Sequence, residues 1–191
     1  MAIVFASQRL VALIATPLAV GLFALSPPVF DRPWTVVTSI YAHADPGHLL
    51  GNAVVVLVAG LLVERVTTTT RFHTFVITTG VLAGIAEAFV GSAMGTPPAV
   101  LGISGAALAL VGYVLAGNPV AQTTLGWLEL GRRGQVIVMV VLAAAVTIAT
   151  AGEGVALVAH FVGFALGLFA GRLRLLHVRG GEAQSSNEYA G

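Results

Sequence analysis

Cysteine and lysine are both absent from this chain of 191 residues, and charged residues of any kind make up only 9% of it. Without cysteine the protein has no disulfide framework, no thiol nucleophile and no cysteine-based metal site. A water-soluble domain carries about 25% charged residues, so the composition excludes an ordinary soluble globular protein. The net charge is only +1, which excludes a highly charged disordered chain and a nucleic-acid-binding protein.

Hydrophobic residues make up 57% of the chain, and they are arranged in six apolar segments. A membrane-spanning helix needs about 20 residues, so the chain is long enough for six spans and little else. We therefore predict one all-α membrane domain over residues 1–179, followed by a flexible cytoplasmic tail over residues 180–191. The predicted spans are residues 10–25, 48–63, 72–94, 104–118, 135–151 and 155–176.

The arginines predict how the spans are oriented. If the N-terminus is cytoplasmic, eight of the nine arginines fall on the inner side and only Arg32 falls outside. The inner set is Arg9, Arg65, Arg71, Arg132, Arg133, Arg172, Arg174 and Arg179. Both termini are then cytoplasmic, and the second, fourth and sixth spans begin at the outer face. A cleaved signal peptide over the first segment is the alternative, and Pro27 directly after the candidate cleavage site argues against it.

The fourth segment, from Ser104 to Asn118, is too short to cross a bilayer as a helix. Its length is roughly 22 Å, against a hydrocarbon core of about 30 Å, and Pro119 prevents extension at the inner end. We expect Ser104 to lie about 8 Å below the outer surface, at the floor of a water-filled cavity lined by non-helical residues 95–102. The alternative is a tilted or shallow helix with Ser104 as its N-cap.

The last span carries His160, roughly 9 Å below its outer end. An ionisable residue at that depth is a functional candidate, and the alternative is a hydrogen bond to a neighbouring helix. Small residues allow membrane helices to approach closely, and they line one face of each of the two spans concerned. These residues are Gly163, Gly167 and Gly171 in the last span and Gly105, Ala109, Gly112 and Ala116 in the fourth. Pairing of the two faces would bring Ser104 beside His160, whereas packing alone is the alternative role for the glycines.

Four short motifs occur in order along the chain. Residues 43–52 read H-x4-H-x3-N, and Glu64-Arg65 ends the same span. Residues 102–113 contain G-x-S-G and then L-x-G-Y, and residues 159–167 read A-H-x-x-G-x-x-x-G. Together the motifs resemble those of the rhomboid family of intramembrane serine proteases, over about residues 10–177.

The resemblance implies a six-transmembrane-helix rhomboid bundle that cleaves transmembrane substrates with a Ser–His dyad and needs no cofactor or metal. Ser104 would be the nucleophile and His160 the general base. His48 and Asn52, with the backbone N–H of Ser104, would form the oxyanion hole. The structural glycines of the motifs would be Gly102, Gly105, Gly163 and Gly167.

The residues themselves fit acyl transfer, which needs an activated hydroxyl, a base and donors for the oxyanion. His48 and Asn52 are four residues apart and share one helical face, although an interhelical hydrogen bond is an alternative role for Asn52. A third triad member is not evident, because Glu153 lies about 10 Å from His160 along the helix axis. Asp31 and Asp45 lie in the first outer loop, so a dyad is the simpler prediction.

A zinc site is the rival chemistry. It would use His43, His48 and His160 as ligands. The first two histidines are five residues apart, which is not the spacing of one helical face, and HExxH is absent. We therefore predict no metal.

Two positions depart from the family pattern. Thr35 follows Trp34 where many rhomboids have arginine, and we expect this change to alter how the first outer loop is anchored. Leu108 replaces a tyrosine that packs on the histidine in some bacterial members, so we expect apolar packing alone to orient His160. Glu87 is expected to face the bundle, either as a structural hydrogen-bond partner or along a water path.

The sequence thus predicts a multi-pass serine endopeptidase of the cell membrane, with an active site that opens to the extracytoplasmic side. Its partners would be single-span or multi-span membrane protein substrates and the lipid bilayer, and its oligomeric state stays open. The alternative is a catalytically silent rhomboid-like protein that binds membrane proteins. A small transporter would need a polar path through both leaflets, and the inner halves of the second, fourth and sixth spans offer almost no polar residues.

Overall fold

The computed structural model describes residues 1–118, 123, 131–152 and 154–178, and these form eight α-helices and one short 3-10 helix. The helices are α1 (Ala2–Ile14), α2 (Thr16–Phe23), the 3-10 helix (Val29–Asp31), α3 (Thr35–Tyr41), α4 (Pro46–Glu64), α5 (Thr69–Ala93), α6 (Ser104–Gly117), α7 (Arg132–Ala149) and α8 (Leu157–Arg172). In this part of the chain the only β pairing is an isolated bridge between Leu25 and Val100. The predicted tail 180–191, together with Pro119, Glu153 and Arg179, lies outside the described residues.

The long apolar helices correspond to the predicted segments from the second onward. By length and composition, α4 and α5 are able to cross a membrane, and α1, α6, α7 and α8 are shorter apolar helices. Each predicted segment from 48–63 to 155–176 overlaps one helix, and the boundaries differ by a few residues. The helix α6 ends at Gly117, one residue before the predicted end of the fourth segment.

The first predicted segment, residues 10–25, differs from the structure. It is divided between α1 and α2 by Ala15, whose backbone is extended with φ −156° and ψ 108°. Pro17 explains the break, because proline lacks the N–H that a continuous helix needs and its ring clashes with the preceding turn. Proline is tolerated in the first turn of a new helix, where α2 has it.

Arg9 also departs from its predicted position. The helix α1 begins at Ala2, so Arg9 lies within it, and its guanidinium donates a hydrogen bond to the carbonyl of Ala44. The neighbouring Gln8 accepts a hydrogen bond from the backbone N–H of His43, with a distance of 3.1 Å. Arg9 therefore lies beside the loop that leads into α4, and its predicted grouping with the other inner arginines is wrong.

Other arginines gather at the opposite end of the bundle. Arg65 follows the last residue of α4, and Arg71 donates to the carbonyl of His177 at 3.2 Å. Arg172, at the end of α8, donates to Gln135 near the start of α7 at 3.0 Å. The end of α4, the start of α5, the start of α7 and the end of α8 therefore meet at this basic end.

The centre of the bundle is the close contact between α6 and α8. A Cβ atom added to Gly163 or Gly167 would overlap the backbone of Gly105 or Ala109, so only glycine allows this approach. The predicted pairing of the two small-residue faces is therefore present. A Cβ on Gly105 would lie 3.2 Å from the carbonyl oxygen of Ala159, so the starts of the two helices are adjacent.

Candidate active site

A cavity of about 700 Å³ lies where α4, α6 and α8 begin. Its walls include residues 98–101, which precede α6, and residues 154–156, which precede α8. The four residues expected to perform the chemistry all line it: Ser104, His160, His48 and Asn52. Three separate helices thus bring their polar residues to one space.

Ser104 is the first residue of α6, and the helix N-cap is Ile103. No side chain makes a capping hydrogen bond there, so Ser104 does not have the N-cap role considered above. The chain before it is non-helical from Gly95 to Ile103, as the shortness of the fourth segment predicts. At this position the unpaired N–H groups of the first helical turn favour a developing negative charge.

Backbone hydrogen bonds hold the segment before Ser104 in place. The amide of Gly102 donates to the carbonyl of Ser39 at 2.9 Å. Leu25 and Val100 exchange two backbone hydrogen bonds, of 3.0 and 2.9 Å. The loop wall of the cavity is therefore tied to both α3 and the end of the first segment.

His160 lies in the first turn of α8 and is only 8% exposed. Its Nδ1 atom is 2.9 Å from the hydroxyl oxygen of Thr150, the residue that follows α7. The expectation that apolar packing alone orients His160 is therefore wrong. Leu108, which stands where some family members have a tyrosine against the histidine, packs in the apolar cluster around Ala143 and Phe164.

His48 and Asn52 lie one turn apart near the start of α4. Asp45 is the N-cap of this helix, and its side chain accepts a hydrogen bond from the backbone N–H of His48 at 2.9 Å. Asn52 is 8% exposed, and its Nδ2 atom is buried without a hydrogen-bond partner among the described residues. A buried amide donor without a partner is costly, so this donor is available for a group that enters the cavity.

Gly102 brings the loop before Ser104 against these two side chains. A Cβ atom at this position would lie 2.9 Å from Cε1 of His48 and 3.7 Å from Nδ2 of Asn52. The backbone has φ +114°, which only glycine adopts readily. Glycine is therefore required here by both space and conformation.

His43, the first histidine of the H-x4-H-x3-N block, is fully buried behind His48. Its Nδ1 lies 3.2 Å from the carbonyl oxygen of Tyr41, so this nitrogen carries the proton. Burial, and after it the nearby His48, together lower the pKa of His43 to about 4. The His48 amide, by its hydrogen bond, lowers the pKa of Asp45, which is exposed and ionised.

Metal ligation was the rival chemistry for the histidines. No group of three or more histidine, aspartate or glutamate side chains within the described ranges is placed to hold a metal ion. Glu153, the candidate third triad member, lies outside these ranges.

Three polar contacts do not follow from the sequence motifs. Glu87 was expected to face the bundle, and its carboxylate accepts a hydrogen bond from the backbone N–H of Ala159 at 2.9 Å. Thr35 is 1% exposed and donates to the carbonyl of Arg32 at 2.6 Å, a contact within the first loop. The contact between Thr150 and His160 has no sequence motif, because Thr150 follows α7 whereas His160 lies in α8.

A family model described as the Rhomboid domain matches residues 31–177. The matched range contains helices α3 to α8 and every residue that lines the cavity. No curated protein matches the chain significantly.

Proposed function

This chain belongs to the rhomboid family, and from that membership we propose that it is an intramembrane serine endopeptidase. Its substrates would be membrane proteins, cut at peptide bonds in or near their transmembrane segments. One observation carries the proposal: a serine, a histidine and two further polar side chains from three helices line one cavity. Acyl transfer requires this combination of nucleophile, base and oxyanion donors.

The proposed reaction begins when Oγ of Ser104 attacks the carbonyl carbon of the scissile peptide bond and its proton passes to His160. The resulting oxyanion would accept hydrogen bonds from Asn52, His48 and the backbone N–H of Ser104. The C–N bond breaks as His160 returns the proton to the leaving nitrogen. A water molecule, deprotonated by His160, then attacks the acyl ester and regenerates Ser104.

The buried amide of Asn52 supports its role as an oxyanion donor. Leaving a buried donor unpaired costs about 1–3 kcal/mol, and the cost is removed when a negative oxygen arrives. Donors that are already fixed before the reaction stabilise the transition state without reorganising. Glycine at position 102, with φ +114°, keeps the loop close to this amide and to His48.

The membrane arrangement is also part of the proposal. Arg65, Arg71, Arg133, Arg172 and Arg174 belong to the bundle end opposite the cavity. By the positive-inside rule, that end would be cytoplasmic, and the cavity would open to the extracytoplasmic side of the cell membrane.

A six-span count further requires the first 25 residues to make one crossing in spite of the break at Ala15. Arg9, which contacts Ala44, gives no support to a cytoplasmic N-terminus. The helices α4 to α8 would supply the other five crossings of a multi-pass membrane protein.

Cleavage of a panel of single-span membrane proteins by the purified protein in detergent tests the proposal. Ser104→Ala should abolish cleavage. The matched control is Ser92→Ala, because Ser92 lies on α5, its hydroxyl donates to the carbonyl of Ala88 at 2.8 Å, and it does not line the cavity. Equal cleavage by wild type and Ser104→Ala would overturn the serine mechanism.

A fluorophosphonate probe separates the enzyme from the silent binder without knowledge of the substrate. The wild type and Ser92→Ala should be labelled, whereas Ser104→Ala should not. If the folded wild type is neither labelled nor active on any substrate of the panel, the protein is a non-catalytic member of the family that binds membrane proteins.

A further inference from the structure

The hydroxyl group of Thr150 has two kinds of polar neighbour. Its Oγ1 lies 2.8 Å from the carbonyl oxygen of Val146 and 3.3 Å from that of Thr147, both in the last turn of α7, the helix that Thr150 follows. It also lies 2.9 Å from Nδ1 of His160, on the next helix. The contact therefore joins the end of α7 to the first turn of α8.

The single proton of the Thr150 hydroxyl determines which ring nitrogen of His160 is protonated. A hydroxyl has one proton, and a carbonyl oxygen accepts only. The short contact with Val146 is favourable only if Thr150 donates its proton there. The contact with His160 is then favourable only if Nδ1 carries a proton and donates it to the hydroxyl oxygen. In the opposite tautomer, two acceptors would face each other at one of the two contacts.

We propose that Thr150 is a positioning residue that holds His160 in the tautomer with its proton on Nδ1. The Nε2 atom then keeps its lone pair, which is what a base needs to accept the proton of Ser104. A neutral hydroxyl supplies the orienting contact that a carboxylate supplies in a Ser-His-Asp triad. It does so without burying a charge near the bilayer, which would be costly. The effect on catalysis rests on the proposed function, whereas the tautomer itself does not.

Nitrogen NMR of protein labelled with ¹⁵N-histidine measures the tautomer directly. The His160 signals are assigned by their loss in His160→Gln. Wild type and Thr150→Ser should both show the proton on Nδ1, because serine keeps the hydroxyl. Thr150→Val, which has nearly the same shape, should show a mixture of tautomers.

Thr147→Val is the matched control. Thr147 lies one turn earlier on α7, and its hydroxyl donates to the carbonyl of Ala143 at 2.8 Å in the same manner. Thr147→Val should leave the His160 signals unchanged. This variant measures any general effect of removing a hydroxyl that donates to a carbonyl of α7. A wild-type spectrum with the proton on Nε2 would overturn the proposal, and so would an unchanged spectrum in Thr150→Val.

Kinetics add a second readout. Thr150→Val should lower kcat about tenfold with little change in KM, because one hydrogen bond to the base is lost. Thr150→Ser and Thr147→Val should both keep wild-type kcat. A wild-type kcat in Thr150→Val would contradict the proposal that the contact of Thr150 with His160 aids catalysis. If the wild type neither cleaves nor reacts with a fluorophosphonate, the proposed function fails, and the NMR spectrum still decides the tautomer.

Discussion

The carboxylate of Glu87 accepts a hydrogen bond from the backbone N–H of Ala159, with Oε2 2.9 Å from the nitrogen. Ala159 is in the first turn of α8, and that helix has no capping side chain of its own. Glu87 therefore caps α8 from α5, and its carboxylate lies at the positive end of the helix dipole. Because His160 follows Ala159, the same contact fixes the backbone that carries the proposed base.

Removal of this cap should affect both stability and reactivity. We expect Glu87→Ala to lower the free energy of unfolding by about 1 kcal/mol, the usual effect of losing a helix cap. Fluorophosphonate labelling of Ser104 should slow several-fold in the same variant, because His160 is less firmly held. Glu87→Gln keeps an acceptor oxygen and should lie nearer to wild type in both measurements.

Glu64→Ala is the control for Glu87, because Glu64 is an exposed carboxylate at the far end of α4. Its labelling rate should equal that of wild type. Wild-type stability and labelling in Glu87→Ala would contradict the capping role.

Asn52→Leu tests the oxyanion donor with a side chain of similar shape. We expect kcat to fall about 100-fold with little change in KM, because an oxyanion donor acts mainly in the transition state. The free energy of unfolding should not fall, since the variant removes a donor that is buried without a partner among the described residues. A loss of stability with unchanged kcat would instead show that Asn52 makes a structural hydrogen bond.

The meeting of the four candidate residues at one cavity was predictable, because each lies in a short local pattern. The i, i+4 spacing of His48 and Asn52 gives a shared face, and the small-residue rows give the helix pairing that brings Ser104 towards His160. The shortness of the fourth segment predicts the non-helical chain before Ser104. These features depend on residues close together in sequence, or on rows of small residues at helical spacing.

The contacts of Thr150 and Glu87 were not predictable in the same way. Each depends on the relative depth and rotation of two separate helices, and sequence spacing contains neither quantity. The error at Arg9 has a related cause. Apolar composition marks the first segment but does not report the break at Ala15, and a count of charges does not show that an arginine side chain bonds to Ala44.

Gly167→Ala tests the contact between α6 and α8. The added methyl group would overlap the backbone of Ala109, so we expect the free energy of unfolding to fall by about 3 kcal/mol. Gly51→Ala is the matched control, because Gly51 is also helical and a Cβ there meets no atom within 4 Å. Alanine should leave stability unchanged or raise it slightly at that position. Equal effects of the two variants in denaturant unfolding would contradict the close approach of the helices.

The low pKa of His43 predicts how the free energy of unfolding changes in acid. The unfolded chain binds a proton at this histidine near pH 6.5, whereas the buried imidazole has a pKa of about 4. Falling pH therefore favours the unfolded state between these two values. Once the pH is below both, His43 lowers the free energy of unfolding by about 3 kcal/mol. Above pH 6.5 this destabilisation by His43 is absent. Denaturant unfolding of wild type and His43→Asn at several values between pH 7.5 and 4.5 measures it as a difference in slope.

The His43→Asn variant should lose stability less steeply than wild type as the pH falls, because asparagine does not titrate. It also keeps an amide donor for the carbonyl of Tyr41, which His43 contacts through Nδ1 at 3.2 Å. His73→Asn is the matched histidine-to-asparagine control at an exposed position of α5. Parallel slopes for wild type and His43→Asn would mean that His43 is protonated equally in the folded and unfolded states, contrary to its burial behind His48.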